Sequence, residues 1–262
     1  MHRFASRTRS ALLAGAMIAA IGLAASSPAD ASAPPGNGPV VVNSSGAAVT
    51  VWYAQTGNTF TAYASSSPDQ VAWTTPVTLG QGVEPAAALS PGNVAVAVWH
   101  ALSEPSSLGI DASARTPGGT WSAPVNVAPT GQAPRIGIDS AGDAVATWLS
   151  TSYGVQAATL PAGRSWSTPF SFGTITDATP AIAVAPNGSI LVAWGPPDGY
   201  VQASLGSITG SWSTPVNISL KLYHMRGPRV TLNSSGQGSA SWSSNDGVPQ
   251  TVTLSNGVWS TP

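Results

Sequence analysis

Chemically capable side chains are scarce in this chain: its 262 residues include 10 Asp and Glu, 9 Lys and Arg, 3 His and no Cys. Three groupings could act on a ligand. The first is acidic: Glu84, Glu104 and Asp177. Paired carboxylates serve as acid and base in glycosidic hydrolysis, where their separation sets the stereochemical outcome. Glu84 and Glu104 are the only Glu in the chain, and no recurring spacing pairs them; ordinary loop acids are the competing reading. The second grouping is basic. Arg135 and Arg229 each directly follow a proline, with Arg226 nearby, and two guanidinium forks could grip a carboxylate or sulfate. The alternative use of such arginines is to cap backbone carbonyls. The third is aromatic: residues 220–227 concentrate Tyr223, His224, Met225 and Arg226. A flat ring beside a cation and amide donors suits a sugar, whose CH face packs on the ring. His100, Tyr153 and Asp198 complete the candidate binding residues. His100 and His224 are too far apart to suggest a metal site, and neither a metal nor a cofactor is expected.

Composition narrows the setting in which these groups work. Only 7% of the residues are charged, against about a quarter in an ordinary protein, which excludes a coiled coil, a basic nucleic-acid face and a charge-driven disordered chain. Without Cys there is no disulfide framework and no thiolate metal site. Arg3, Arg7 and Arg9 precede an apolar stretch over residues 11–25, followed by Ala29-Asp30-Ala31. That pattern reads as a secretory signal peptide over residues 1–31. Its apolar part falls short of the roughly 18 residues of a spanning helix. Removing Arg3, Arg7, Arg9 and Asp30 leaves six basic and nine acidic groups, a net charge of about −3. Nucleic acid and anionic lipid are then poor partners, and a secreted monomer with no membrane span is expected.

What must position the candidates is a repeat. Trp52, Trp99, Trp148, Trp194 and Trp242 recur at intervals of 47, 49, 46 and 48 residues. Trp73, Trp121, Trp166, Trp212 and Trp259 form a second series at 48, 45, 46 and 47, each opening a Trp-Ser/Thr-x-Pro tetrad. All ten Trp belong to these series, and they read as packing residues rather than ligand platforms. Pro85, Pro134, Pro180 and Pro228 each stand 14 residues before their Trp and open a first strand. Six residues before the Trp stand Gly46, Asn93, Gly142, Gly188 and Gly236. Gly and Asn tolerate positive φ, so one turn geometry accounts for all five. The second strand carries the Trp; the third is typified by Val155-Gln156-Ala157; the fourth is expected to start at the tetrad. Second strands are apolar or small at successive positions, as in Val94-Ala95-Val96-Ala97-Val98-Trp99, so both sheet faces are covered. Four strands per repeat of about 45 residues, radially arranged, make a β-propeller. Five repeats predict an all-β, five-bladed propeller of four-stranded antiparallel blades over residues 39–262, after a flexible segment at 32–38. The last blade is expected to end short against the first, near Val40 to Val42.

The run from Pro134 to Trp148, followed by Val155-Gln156-Ala157 and Trp166-Ser-Thr-Pro169, resembles the repeats of secreted bacterial propellers of the sialidase-like, BNR-repeat group. In that group's Asp-box an aspartate recurs; here it stands only in the third repeat, as Asp139 and Asp143. The resemblance implies a bacterial extracellular propeller. For an enzyme of that group it also implies an arginine cluster and a tyrosine nucleophile paired with a Glu, for which Tyr153, Tyr200 and Tyr223 are candidates. Repeat length and number are similar to those of five-bladed tachylectin-type sugar-binding proteins.

In a propeller the loops from fourth to first strand and from second to third strand gather on one face around the hub. Glu84, His100, Glu104, Arg135, Asp177, Asp198, Lys221, His224, Arg226, Arg229 and Asp246 map there, whereas Asp69, Arg115, Asp139, Asp143 and Arg164 fall on the opposite turns. The residues after the strand-two Trp differ between repeats (His100, Leu149, Gly195, Ser243), which favours a single central site. The leading expectation is a non-enzymatic propeller binding an extracellular or cell-surface ligand, a glycan above all. Its competitors are a glycoside hydrolase, sialidase-like or another propeller glycosidase, using Glu84, Glu104 and Asp177, and a structural or partner-binding envelope protein.

Overall fold

A computed structural model describes residues 34–102, 108–150, 152, 154–173, 179–195, 199–221, 226–243 and 248–261. They contain strands and no helix. The first sheet consists of β1 (Val40–Val42), β2 (Ala48–Thr56), β3 (Thr59–Ser67) and the start of β4 (Val77–Leu89). β4 pairs with β3 as far as Gln81 and from Gly82 onward with β5 (Ala95–Ala101). It is thus the outermost strand of the first sheet and the innermost of the second, which β6 (Ile110–Arg115) and β7 (Val125–Ala128) complete. The third sheet holds β8 (Gln132–Ile138), β9 (Ala144–Ser150), β10 (Gly154–Leu160) and β11 (Phe170–Ser171); the fourth holds β12 (Ala181–Val184), β13 (Ser189–Trp194), β14 (Gln202–Ser207) and β15 (Val216–Asn217). In the fifth are β16 (Arg226–Leu232), β17 (Gly238–Ser243), β18 (Pro249–Ser255) and β19 (Val258–Trp259). Every pairing is antiparallel, as short connections between successive strands require.

Consecutive sheets are held face to face by the first tryptophan series. Alternation along each second strand turns the Trp toward the preceding sheet and its neighbours toward the following one. Trp99 meets Val51, Ala62 and Leu79; Trp148 meets Val98 and Ile110; Trp194 meets Val145 and Val155; Trp242 meets Leu191 and Ala203. These four indoles are 0 to 4% exposed. At about 25 cal/mol per Å² of buried apolar surface, each stabilises its interface by about 4–6 kcal/mol. Ala95 and Ala97, or Ala240, leave the indole the room it needs beside the strand.

The second tryptophan series explains the tetrads, and corrects where the fourth strands begin. In the first four sheets they start after the tetrad proline, at Val77, Val125, Phe170 and Val216, because proline offers no N–H to a ladder, whereas β19 of the fifth ends on the tetrad Trp259. Within the tetrad the residue after Trp clips back onto the third strand. Thr74, Ser122, Ser167, Ser213 and Ser260 donate their N–H to Ser66, Ala114, Thr159, Leu205 and Thr253 at 2.7–2.9 Å. Trp121, Trp166, Trp212 and Trp259 are thereby folded against the interface clusters.

The turn between first and second strands is as expected: Gly46, Asn93, Gly142, Gly188 and Gly236 all have positive φ, between 66° and 91°. At Gly236 nothing lies within 4 Å of the place a Cβ would take. Gly236→Ala is therefore expected to lower stability by about 1–2 kcal/mol through backbone strain alone. A denaturation midpoint equal to that of the parent protein would contradict a left-handed turn there.

The expected closure of the fifth sheet on the first is not seen among the described residues. Among the described residues β19 pairs only with β18, β1 pairs only with β2, and no hydrophobic cluster joins the two sheets. Where the fourth sheet turns Leu191, Ala193 and Leu205 to its successor, the fifth carries Ser239, Ser241 and Thr253, none of them buried. At the other end Trp52 is only half-buried. It stacks on Tyr63 with ring centroids 5.8 Å apart, and the Gly36 backbone lies against its indole.

Candidate functional site

The prolines that open the innermost strands shape the hub. In β4, β8 and β16 the ladder register slips between Val83 and Ala86, Gln132 and Arg135, and Arg226 and Arg229. Each slip brackets the proline, which cannot donate to its neighbour, and an irregularity there re-aims the residues on either side. The residue before proline is driven out of the right-handed helical region. Within these slips Glu84 and Ala133 take positive φ, 53° and 51°.

Directly after these prolines come Val40, Ala86, Arg135, Ala181 and Arg229. Arg135 and Arg229 are exposed and line one cavity of about 460 Å³, with Thr179, Pro180 and Ala181 of the fourth sheet and Gly227 of the fifth. Alanine at the intervening repeat position keeps the space between the two arginines open. Arg135 Nη1 donates to the carbonyl of Pro134 at 2.9 Å, so the capping role is partly realised; the guanidinium has further donors to offer. Arg229 makes no hydrogen bond or ion pair among the described residues, and no carboxylate among them lines the cavity. Two guanidiniums around a hollow of this size, with no carboxylate lining it among the described residues, have the donor chemistry to hold an anion.

Glu84 does other work. Its Oε2 accepts the N–H of Ala133 at 2.9 Å, tying the second sheet to the third, and lies 3.9 Å from His100 Nδ1. His100 is largely buried and its Nε2 has no partner among the described residues. Burial lowers the His100 pKa, opposed in part by Glu84. The folded protein thus takes up this proton less readily than the unfolded chain, whose histidines titrate near about 6.5. The stability contributed by neutral His100 is present above that pH and is lost as pH falls toward the folded-state pKa. Melting temperature is expected to drop between about pH 7 and about pH 5, and His100→Gln to flatten that slope. A variant with the parental pH profile would contradict the assignment.

Glu84 also lines a second cavity of about 420 Å³, with Asn37, Gly38, Trp52, Tyr53 and Pro85. A third, of about 660 Å³, lies on the opposite side between the second and third sheets, against Val125, Trp166, Arg115 and Arg164. Arg115 serves packing: its Nη1 donates to Ser66 Oγ at 3.0 Å and its guanidinium lies 5.8 Å over Trp121. Asp139 is buried, and its Oδ1 accepts the N–H groups of Ala141 and Asp143 at 2.9 Å. Asn43 and Asn233 hold the same turn in other repeats, so the aspartate is a turn residue.

Of the candidate residues, the structure brings Arg135 and Arg229 together and sets Glu84 beside His100. Arg226 opens β16. Glu104, Tyr153, Asp177, Asp198, Tyr223, His224 and Asp246 lie outside the described residues. Reading the sequence missed Thr179, Ala181 and Gly227 in the arginine cavity, although their repeat positions around the opening prolines were a usable signal. It also missed Tyr53, which carried none beyond following a repeat Trp.

No protein-family model matches the chain, and no curated protein matches it. Among solved structures the chain is similar to the six-bladed β-propeller lectin of Aleuria aurantia, whose structure describes fucose recognition. Identity is 17% and the TM-score 0.56, over 85% of this chain and 75% of the lectin. The BP39L lectin of Burkholderia pseudomallei matches at 15% identity and a TM-score of 0.59, over 86% and 73% of the two chains. An intramolecular trans-sialidase from Ruminococcus gnavus matches at 9% and 0.53, over 84% and 82%. Likeness at these identities establishes the fold, a β-propeller.

Proposed function

We propose that this chain is a secreted, five-bladed, non-enzymatic propeller that binds an extracellular glycan at its hub, in the cavity between Arg135 and Arg229. The observation that carries the reading is the meeting of these two arginines in one hollow without a lining carboxylate among the described residues. The ligand that such a hollow favours is a saccharide with an acidic substituent. Lectins among the structural neighbours support saccharide binding as a use of the fold, and the five Trp-bearing sheets support the blade count. Against hydrolysis stands the engagement of Glu84 by Ala133 and His100, since a catalytic pair needs two carboxylates facing one bond. No helix among the described residues is long and apolar enough to cross a membrane.

The test is a glycan array probed with the mature protein beside a panel of chromogenic glycosides. Retention of acidic glycans without turnover is the expected result. Hydrolysis abolished by Glu84→Gln would replace the binding function with a catalytic one, and retention of no glycan would leave a structural envelope role.

A further inference from the structure

The cavity around Glu84 has a chemistry opposite to that of the arginine cavity, and the two share no lining residue. Trp52 and Tyr53 line it together with Asn37 and Gly38. Gly38 is required there, because a Cβ would run into the carbonyl oxygen of Val51. Tyr53 is 48% exposed, and Trp52 is half-buried where the other four of its series are 0 to 4% exposed.

Glu84 lines the same hollow as these rings, with its side chain about half exposed, 51%. Among the described residues no Lys or Arg pairs with it, and the nearest basic group is His100, whose burial favours the neutral form. The left-handed backbone at Glu84 belongs to the bulge, since Ala133 shares it. Besides accepting the Ala133 N–H, Glu84 brings a negative charge to that position. An uncompensated carboxylate beside aromatic faces attracts a cation, through the ring quadrupole as well as through charge. A hollow of about 420 Å³ is too large for a lone ammonium ion and has the size of a small-ligand site.

We propose that this cavity binds the ammonium group of a deacetylated amino sugar, with Glu84 as counter-ion and Trp52 and Tyr53 as the aromatic wall. Only the sugar part of this statement rests on the glycan function proposed above; the cation site stands on its own residues. Acetylation of the amine removes the charge and with it the main attraction.

Calorimetric titration of the mature protein with glucosamine oligosaccharides and with N-acetylated oligosaccharides of the same length tests the site. Free-amine oligomers are expected to bind about tenfold or more tightly than acetylated ones. Glu84→Gln should remove about that factor, and Tyr53→Ala several-fold. The glutamine oxygen still accepts the Ala133 N–H, so the fold is kept, and an unchanged melting temperature verifies it. An Arg135→Gln/Arg229→Gln variant should bind glucosamine oligomers normally, which separates this site from the arginine cavity. Equal binding of both oligomers, no binding of either, or a Glu84→Gln protein with parental affinity would overturn the proposal. None of these results would touch the retention of acidic glycans through the arginines.

Discussion

Replacing Trp194 by alanine is expected to destabilise the protein by about 3–5 kcal/mol, a large share of the stability of a domain this size. Trp194 is 0% exposed, packs on Val145 and Val155 of the third sheet, and has its ring centroid 4.8 Å from that of Phe172. Its Nε1 is buried with no partner among the described residues, so the substitution removes packing without breaking a hydrogen bond. Trp52 is the internal control. It occupies the same repeat position but is half-buried, and Trp52→Ala should cost about 1–2 kcal/mol. Urea denaturation of both variants reads the difference; equal losses would show that burial between sheets is not what the tryptophans supply. Trp148 differs again, because its Nε1 donates to the buried Gln156 Oε1 at 3.1 Å. Trp148→Phe would strand that acceptor.

The second large effect is on binding. Loss of both guanidinium groups in Arg135→Gln/Arg229→Gln is expected to weaken acidic-glycan binding about 100-fold or more, since a hydrogen bond to a charged partner contributes about 1.5–3 kcal/mol. Each single substitution should cost about tenfold. Lysine at either position should restore charge but not the planar fork, and recover only part of the affinity. Both side chains are exposed, so the melting temperature should hold while affinity falls. Binding should also weaken as salt rises. Parental affinity in the double variant, measured by calorimetry on a retained acidic glycan, would remove the arginines from the site.

Much of the architecture was legible because periodic indoles and turn residues express one geometry five times over. Asn93 standing where the other repeats have glycine pointed to a positive φ, and its φ is 66°. The tetrads were harder, since Trp-Ser/Thr-x-Pro reads as a strand start. Only the clip from the tetrad to the third strand shows that the ladder resumes after the proline. How the last sheet meets the first was not legible, because it depends on which face each residue takes: Ser239, Ser241 and Thr253 stand where the fourth sheet has Leu191, Ala193 and Leu205. At the hub, Arg135 and Arg229 were recognisable from their shared place after a proline. The engagement of Glu84 was not, since it joins residues 49 apart through a bulge whose backbone angles follow from the sheet and not from local residue types.

The most direct measurement is a crystal structure of the mature protein with the tightest-binding acidic oligosaccharide. The account predicts the ligand's anionic group between the Arg135 and Arg229 guanidiniums, with its sugar ring over Ala181. An oligosaccharide seated elsewhere on the propeller, with only solvent in that cavity, would contradict it.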